Sequence, residues 1–158
     1  MNETKPWYEE IVLPALLRHA RSTYGRAMRD ALEEAGYEDL PKNGMYVIGG
    51  LAMGAGGVPL GKLVKELGVS KQAAGQLVDM LVLRGYIDRT ADPNDRRKLT
   101  VALTDRGRAA ASIQKEVVKR IDEELSSRVG KEEILSARRV LAALIGIGRE
   151  EKEHEHAE

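Results

Sequence analysis

Gln72 and Gln76 stand four residues apart, directly after Ser70 and Lys71. On a helix that spacing puts both amides on one face. Each amide offers a donor and an acceptor together, the pattern an adenine edge presents in the major groove of DNA. Ser70 and Lys71 can reach phosphates, and Ala73 and Gly75 are small enough to let a surface approach. A second cluster lies downstream: Asp95, then Arg96, Arg97 and Lys98 in succession, with Arg89 ahead of them. An arginine at a hairpin tip can enter a narrow minor groove, where the potential is most negative. A polar helix start taken alone reads equally well as a solvated surface. Local charge shifts that balance: residues 60–108 hold ten Lys/Arg against six acids, a net of +4 in a chain of formal charge zero.

These residues need elements to position them. Leu13, Leu16, Leu17, Ala20, Tyr24, Ala27, Met28, Ala31, Leu32 and Ala35 recur in steps of three and four, the mark of one helical face. Pro14 suits its first turn and Gly36 its end. A short helix is expected over 43–53, a glycine-rich loop over 54–59 and a third helix over 60–67. Gly68-Val69-Ser70 then makes a tight turn, with Ser70 capping a fourth helix from Lys71 to about Arg84. That helix is expected to bury Ala74, Leu77, Val78, Leu81 and Val82. After Gly85 the period changes to two: residues 86–89 and 99–103 read as strands, joined through 90–98 with Asp92-Pro93-Asn94-Asp95 as turn chemistry. Thr104 or Asp105 caps a fifth helix carrying Ile113, Val117, Ile121 and Leu125. Gly130 breaks it, a sixth follows, and the charged tail from Arg149 is expected to fray. A short helix, a tight turn, a second helix and a two-stranded wing compose a winged helix-turn-helix.

Other constellations carry less. The uncharged run 43–61 approaches the length of a membrane span, but seven of its nineteen residues are glycine and Pro59 lies within it, which disfavours a spanning helix. Gly56 to Lys62 fits seven positions of a phosphate-binding loop, yet Leu63 stands where Ser or Thr would hold magnesium. His154 and His156 lack a third fixed ligand. No serine–histidine–acid set and no paired carboxylates in an apolar setting occur, so neither catalytic residues, nor a metal, nor a cofactor is expected. With no cysteine among 158 residues, disulfides and thiol redox sensing are excluded, and a reducing cytoplasm suits the chain. Hydrophobic residues at 42% and charged ones at 32% argue against disorder and against a membrane protein. The opening residues, with early acid and no apolar core after them, give no sign of a signal peptide.

The run Leu67-Gly68-Val69-Ser70, Leu77-Val78-Asp79-Met80-Leu81, Arg84-Gly85-Tyr86-Ile87-Asp88-Arg89, Asp92-Pro93-Asn94-Asp95-Arg96-Arg97 and Leu103-Thr104-Asp105-Arg106-Gly107 resembles the MarR (multiple antibiotic resistance regulator) family. The resemblance implies a homodimer that represses transcription from palindromic operators on double-stranded DNA and that small phenolic or lipophilic compounds often release. It further implies that Asp95 orients Arg97 for the minor groove. Gly75 departs from the family pattern, at a helix cost of about 1 kcal/mol. Lack of cysteine excludes the family's peroxide-sensing mode.

The expected fold is mainly α with a small β-wing, a winged helix-turn-helix on a helical dimerisation frame. Residues 1–40 would be an N-terminal dimerisation helix, 41–108 the DNA-binding lobe, and 109–158 the C-terminal dimerisation helices. The expected DNA contacts are Ser70, Lys71, Gln72, Gln76, Arg89, Asp95, Arg96, Arg97 and Lys98. His19, Tyr24 and Tyr46 are candidates for an effector pocket where the first two helices meet. The competing reading is a winged-helix protein-interaction module that does not bind DNA.

Overall fold

Steps of three and four do produce a long first helix. In the computed structural model, which describes residues 5–54, 57–92, 95 and 97–155 with side chains up to 150, a 3₁₀ turn at Trp7–Glu10 leads into α1, Leu13–Glu34, with Pro14 in its first turn. Then come α2 (Lys42–Met53), β1 (Val58–Pro59), α3 (Leu60–Glu66), α4 (Lys71–Leu83), β2 (Ile87–Ala91), β3 (Leu99–Leu103), α5 (Asp105–Val129) and α6 (Lys131–Glu155). The architecture is mainly helical, with one three-stranded antiparallel sheet in the order β1-β3-β2. The chain divides into two compact units, Met1–Val118 and Lys119–Glu158. No helix among the described residues is long and apolar enough to cross a membrane.

The first unit holds the core. Ile48 of α2, Val78 and Leu81 of α4, Tyr86, Ile87 of β2 and Val101 of β3 are all 0% exposed. They lock α2, α4 and the hairpin together through shape and excluded water. On α4 the buried residues are Ala74, Val78 and Leu81. Leu77 and Val82, expected to be buried with them, are only half-buried.

Four local expectations are corrected. Val58 and Pro59, read as loop, pair with Val101 and Thr100. Two residues carry no periodicity, and proline, lacking an N–H, is tolerated here because β1 is an edge strand; residues 55 and 56 of that expected loop lie outside the described residues. The hairpin ladder runs two residues beyond the expected strand, pairing Thr90 with Thr100 and Ala91 with Leu99, because threonine pairs favourably across strands. On α5 the buried face of the first unit is Gly107, Ala110, Ala111, Gln114 and Val117, rotated from the stripe that Ile113 suggested. Finally, α6 continues to Glu155 instead of ending near Arg149, since Glu and Lys are good helix formers and nothing after Gly148 interrupts them. Residues 156–158 of the expected frayed tail lie outside the described residues.

In the second unit, the end of α5 and α6 meet at Gly130. This unit leaves Leu125, Val129, Leu135, Val140, Leu144, Ile145 and Ile147 exposed.

Candidate nucleic-acid interface

The recognition candidate begins at a cap. Gly68 sits at φ +62, a left-handed conformation that glycine adopts without steric cost, and it turns the chain from α3 into α4. Ser70 Oγ then accepts from the Ala73 N–H at 3.1 Å, satisfying one of the free amides of the first turn. Lys71, Gln72 and Ala73 follow as exposed residues, and Gln76 is exposed one turn later. The cap thus fixes the helix start while every side chain that could read a surface stays in solvent.

The wing is built from two aspartates acting on main chain. Asp92 Oδ1 accepts from the Asp95 N–H at 3.3 Å, and Asp95 Oδ1 accepts from the Arg97 N–H at 3.1 Å. The Asp92 N–H donates to the Lys98 carbonyl at 2.8 Å, closing the tip. Such side-chain-to-backbone bonds define an Asx turn. Asp95 therefore sets the backbone from which Arg97 projects, and Arg97 and Lys98 are exposed. Arg96, with Pro93 and Asn94, lies outside the described residues.

Arg89 has a different setting from the other candidates. Its guanidinium forms an ion pair with Asp79 of α4, so it ties β2 to α4. The pair links α4 and β2 at the surface, beside the buried Val78, Leu81 and Ile87 that lock them together.

A further network was not legible in the sequence. Tyr86 Oη donates to Asp39 Oδ1 at 2.5 Å, and Arg106 donates to the same oxygen at 2.9 Å and to the Arg84 carbonyl at 2.6 Å. The Arg106 guanidinium also lies 4.4 Å from the centre of the Tyr86 ring, a cation–π geometry. Thr104 Oγ1 donates to the Gly85 carbonyl at 2.6 Å and accepts from the Gly107 N–H at 3.0 Å, so it caps α5 and holds the hairpin root at once. No spacing rule links positions 39, 86 and 106.

The first unit also carries a half-open cleft of about 920 Å³ between α2, the end of β3 and the first half of α5, with Met28 of α1 in its wall. Of the three effector candidates, Tyr46 lines it, with the Arg21 guanidinium 4.5 Å from its ring centre. His19 and Tyr24 do not line it; His19 is exposed, Tyr24 half-buried.

A capped helix after a tight turn, with a two-stranded wing anchored to it, defines a winged helix-turn-helix protein. Residues 39–98 match the model of the MarR family. Among solved structures, the reduced form of MarR from E. coli matches with TM-score 0.65 and 24% identity, over 85% of this chain and 96% of that one. The transcriptional regulator Tm0710 from Thermotoga maritima matches with TM-score 0.57 and 25% identity, over 87% and 94%. FabT from Streptococcus pneumoniae, in complex with DNA, matches with TM-score 0.71 and 22% identity, over 88% and 99%. No curated protein matches significantly. The segment 39–98 is thus similar to the MarR family, and the chain shares the fold of these solved regulators.

Proposed function

We propose that this chain is a sequence-specific DNA-binding transcriptional repressor acting in the cytoplasm as a homodimer on a palindromic operator. One observation carries the reading: Lys71, Gln72 and Gln76 are exposed along the first turns of α4, on a helix linked to a basic wing by the Asp79–Arg89 ion pair. In this reading α4 enters the major groove with its N-terminal residues at base edges. Gln72 and Gln76 pair with bases, each through a donor and an acceptor. Ser70 and Lys71 hold phosphates and fix register. Arg97 projects from the wing tip toward the minor groove with Lys98 on the adjacent backbone, and Arg96 adds charge at the same tip.

Dimerisation is assigned to residues 1–40 and 109–158, leaving 41–108 as the DNA-reading lobe. Support comes from exposed apolar side chains at both ends: Trp7, Val12 and Leu13 near the start, and Leu135, Leu144 and Ile145 on α6. Apolar side chains clustered on long helices favour a buried symmetric contact. Two-fold symmetry in the protein then requires two-fold symmetry in its site, with half-sites about one helical turn apart. Release by a small aromatic or lipophilic effector completes the proposal.

Selection from random duplex DNA tests it. Enrichment of an inverted repeat, bound with salt-dependent affinity, is the expected outcome. Enrichment of nothing would leave the winged helix as a protein-docking module.

A further inference from the structure

Two apolar side chains stand in solvent beside the glutamines of α4. Val69, in the turn before the cap, is 51% exposed, and Ala73 is exposed in the first turn of the helix. A hydrophobic residue just before a cap commonly packs on the fourth residue of its helix. Here that residue is Ala74, a single methyl that is itself 0% exposed, and half of Val69 stays uncovered. Neither Val69 nor Ala73 contributes to the core.

Helical phase places them with the amides. At about 3.6 residues per turn, Gln76 lies about 40° round the helix from Gln72, and Ala73 about 100° in the same sense. The buried residues Ala74, Val78 and Leu81 occupy the other side. Lys71 lies about 100° round in the opposite sense, at the flank, where an ammonium meets phosphate. From Gln72 to Gln76 the helix rises about 6 Å, close to two base-pair steps.

The side chains missing from this surface decide what it can read. Guanine is read in the major groove by arginine or lysine, and cytosine by a carboxylate. Residues 71–77 hold no Arg, Asp or Glu, and their one lysine is Lys71 at the flank. Asp79, the first carboxylate of α4, is paired with Arg89. Two amides and two apolar groups remain. They match what an A·T pair shows in that groove: N7 and N6 of adenine and the C5-methyl of thymine.

We propose that Ala73 and Val69 read thymine, each packing on a C5-methyl group beside the adenines held by Gln72 and Gln76, so that the half-site under α4 is an unbroken run of A·T pairs. The inference rests on the DNA reading above and adds the class of base pair that the site accepts. Such contacts discriminate by methyl burial alone. Removing one methyl should weaken binding about fourfold, and removing it from both half-sites of a dimer's operator about tenfold or more.

Deoxyuridine supplies the probe, since it replaces thymidine without the methyl and keeps the same pairing edge. Anisotropy titrations of the full chain use the selected duplex with each thymine replaced in turn. The stretch facing α4 is marked by the base pairs at which Gln72→Ala and Gln76→Ala relax preference. Within it, wild type is expected to lose affinity at two thymines of each half-site. Ala73→Gly should abolish the loss at one and Val69→Ala at the other, because the contacting methyl is gone. Each variant is compared with itself on the two duplexes, so any loss of helix stability cancels. Uracil tolerated at every thymine, a guanine or cytosine fixed by selection inside that stretch, or uracil sensitivity unchanged in either variant would overturn the inference and leave sequence reading by α4 intact. A protein that selects no sequence, or glutamine variants that relax no base pair, would overturn both.

Discussion

Tyr86 donates its phenolic hydroxyl to Asp39 at 2.5 Å although 47 residues separate them. The bond joins the turn after α1 to the root of the wing, and Arg106 adds the start of α5 through the same carboxylate oxygen. One short polar network therefore joins three segments around α4. Burial, and then the bond to Asp39, push the Tyr86 hydroxyl well above its ordinary value. The Tyr86 hydrogen bond, aided by Arg106, holds Asp39 below its own, against a desolvation effect in the opposite direction.

Stability should accordingly depend on pH at both extremes. Asp39 is depressed on folding, so its contribution is whole above about pH 4 and fades as pH falls through the lowered value. Tyr86 is raised, so its contribution is whole below about pH 10 and fades as pH rises toward the raised value. Tyr86→Phe should cost about 1–2 kcal/mol at pH 7, a hydrogen bond to a partly exposed charge. Urea melts across pH check both statements: Asp39→Asn should flatten the acid limb and Tyr86→Phe the alkaline one. Variant curves parallel to wild type throughout would remove the network from the stability argument.

Two glycines should respond oppositely to alanine. A Cβ at Gly107 would lie 2.0 Å from the Tyr86 carbonyl oxygen, so Gly107→Ala must shift α5 or the hairpin root, at roughly 1–3 kcal/mol or more. Gly75 lies inside α4 with open space around it, and Gly75→Ala should stabilise by about 1 kcal/mol. Thermal unfolding of both variants decides whether the close approach and the helix cost are real.

The wing should act through charge. Lys98→Ala is expected to lower the slope of log affinity against log salt by about 1 unit if it holds a phosphate. Arg97→Ala should weaken binding of the preferred duplex. Anisotropy titrations at several salt concentrations check both, and unchanged affinity and slope for both variants would exclude the wing.

The helix order and the helix-turn-helix core were legible because periodicity, caps and turn residues agree there: Ser70, Gly85 and Thr104 each do locally what their residue type suggests. The hairpin strands were legible for the same reason. What sequence did not disclose depends on distant pairing. Val58 and Pro59 become a strand only because β3 offers an edge. The Asp79–Arg89 ion pair joins two elements that no spacing rule connects. Asp39 and Arg106 meet at Tyr86 although no periodicity links their positions. His19, Tyr24 and Tyr46 share neighbouring helices, yet only Tyr46 reaches the cleft wall, since helical phase decides which side chains converge.

Symmetry should be visible in mass. The exposed apolar residues of α6 lead us to expect a dimer by light scattering at micromolar concentration. Replacing Leu144 and Ile145 together with Lys should yield monomer, because burying unpaired charges at such a contact is strongly unfavourable. A wild-type monomer would contradict the proposed symmetric operator.

The most direct test is base-by-base affinity of wild type, Gln72→Ala and Gln76→Ala for the selected duplex and for each of its single-base variants. Base reading by α4 predicts that each alanine costs roughly 1–3 kcal/mol on the selected duplex and relaxes preference at one base pair per half-site, leaving the others unchanged. A uniform loss across all duplexes, or wild-type protein that binds selected and shuffled DNA alike, would contradict sequence reading by this helix.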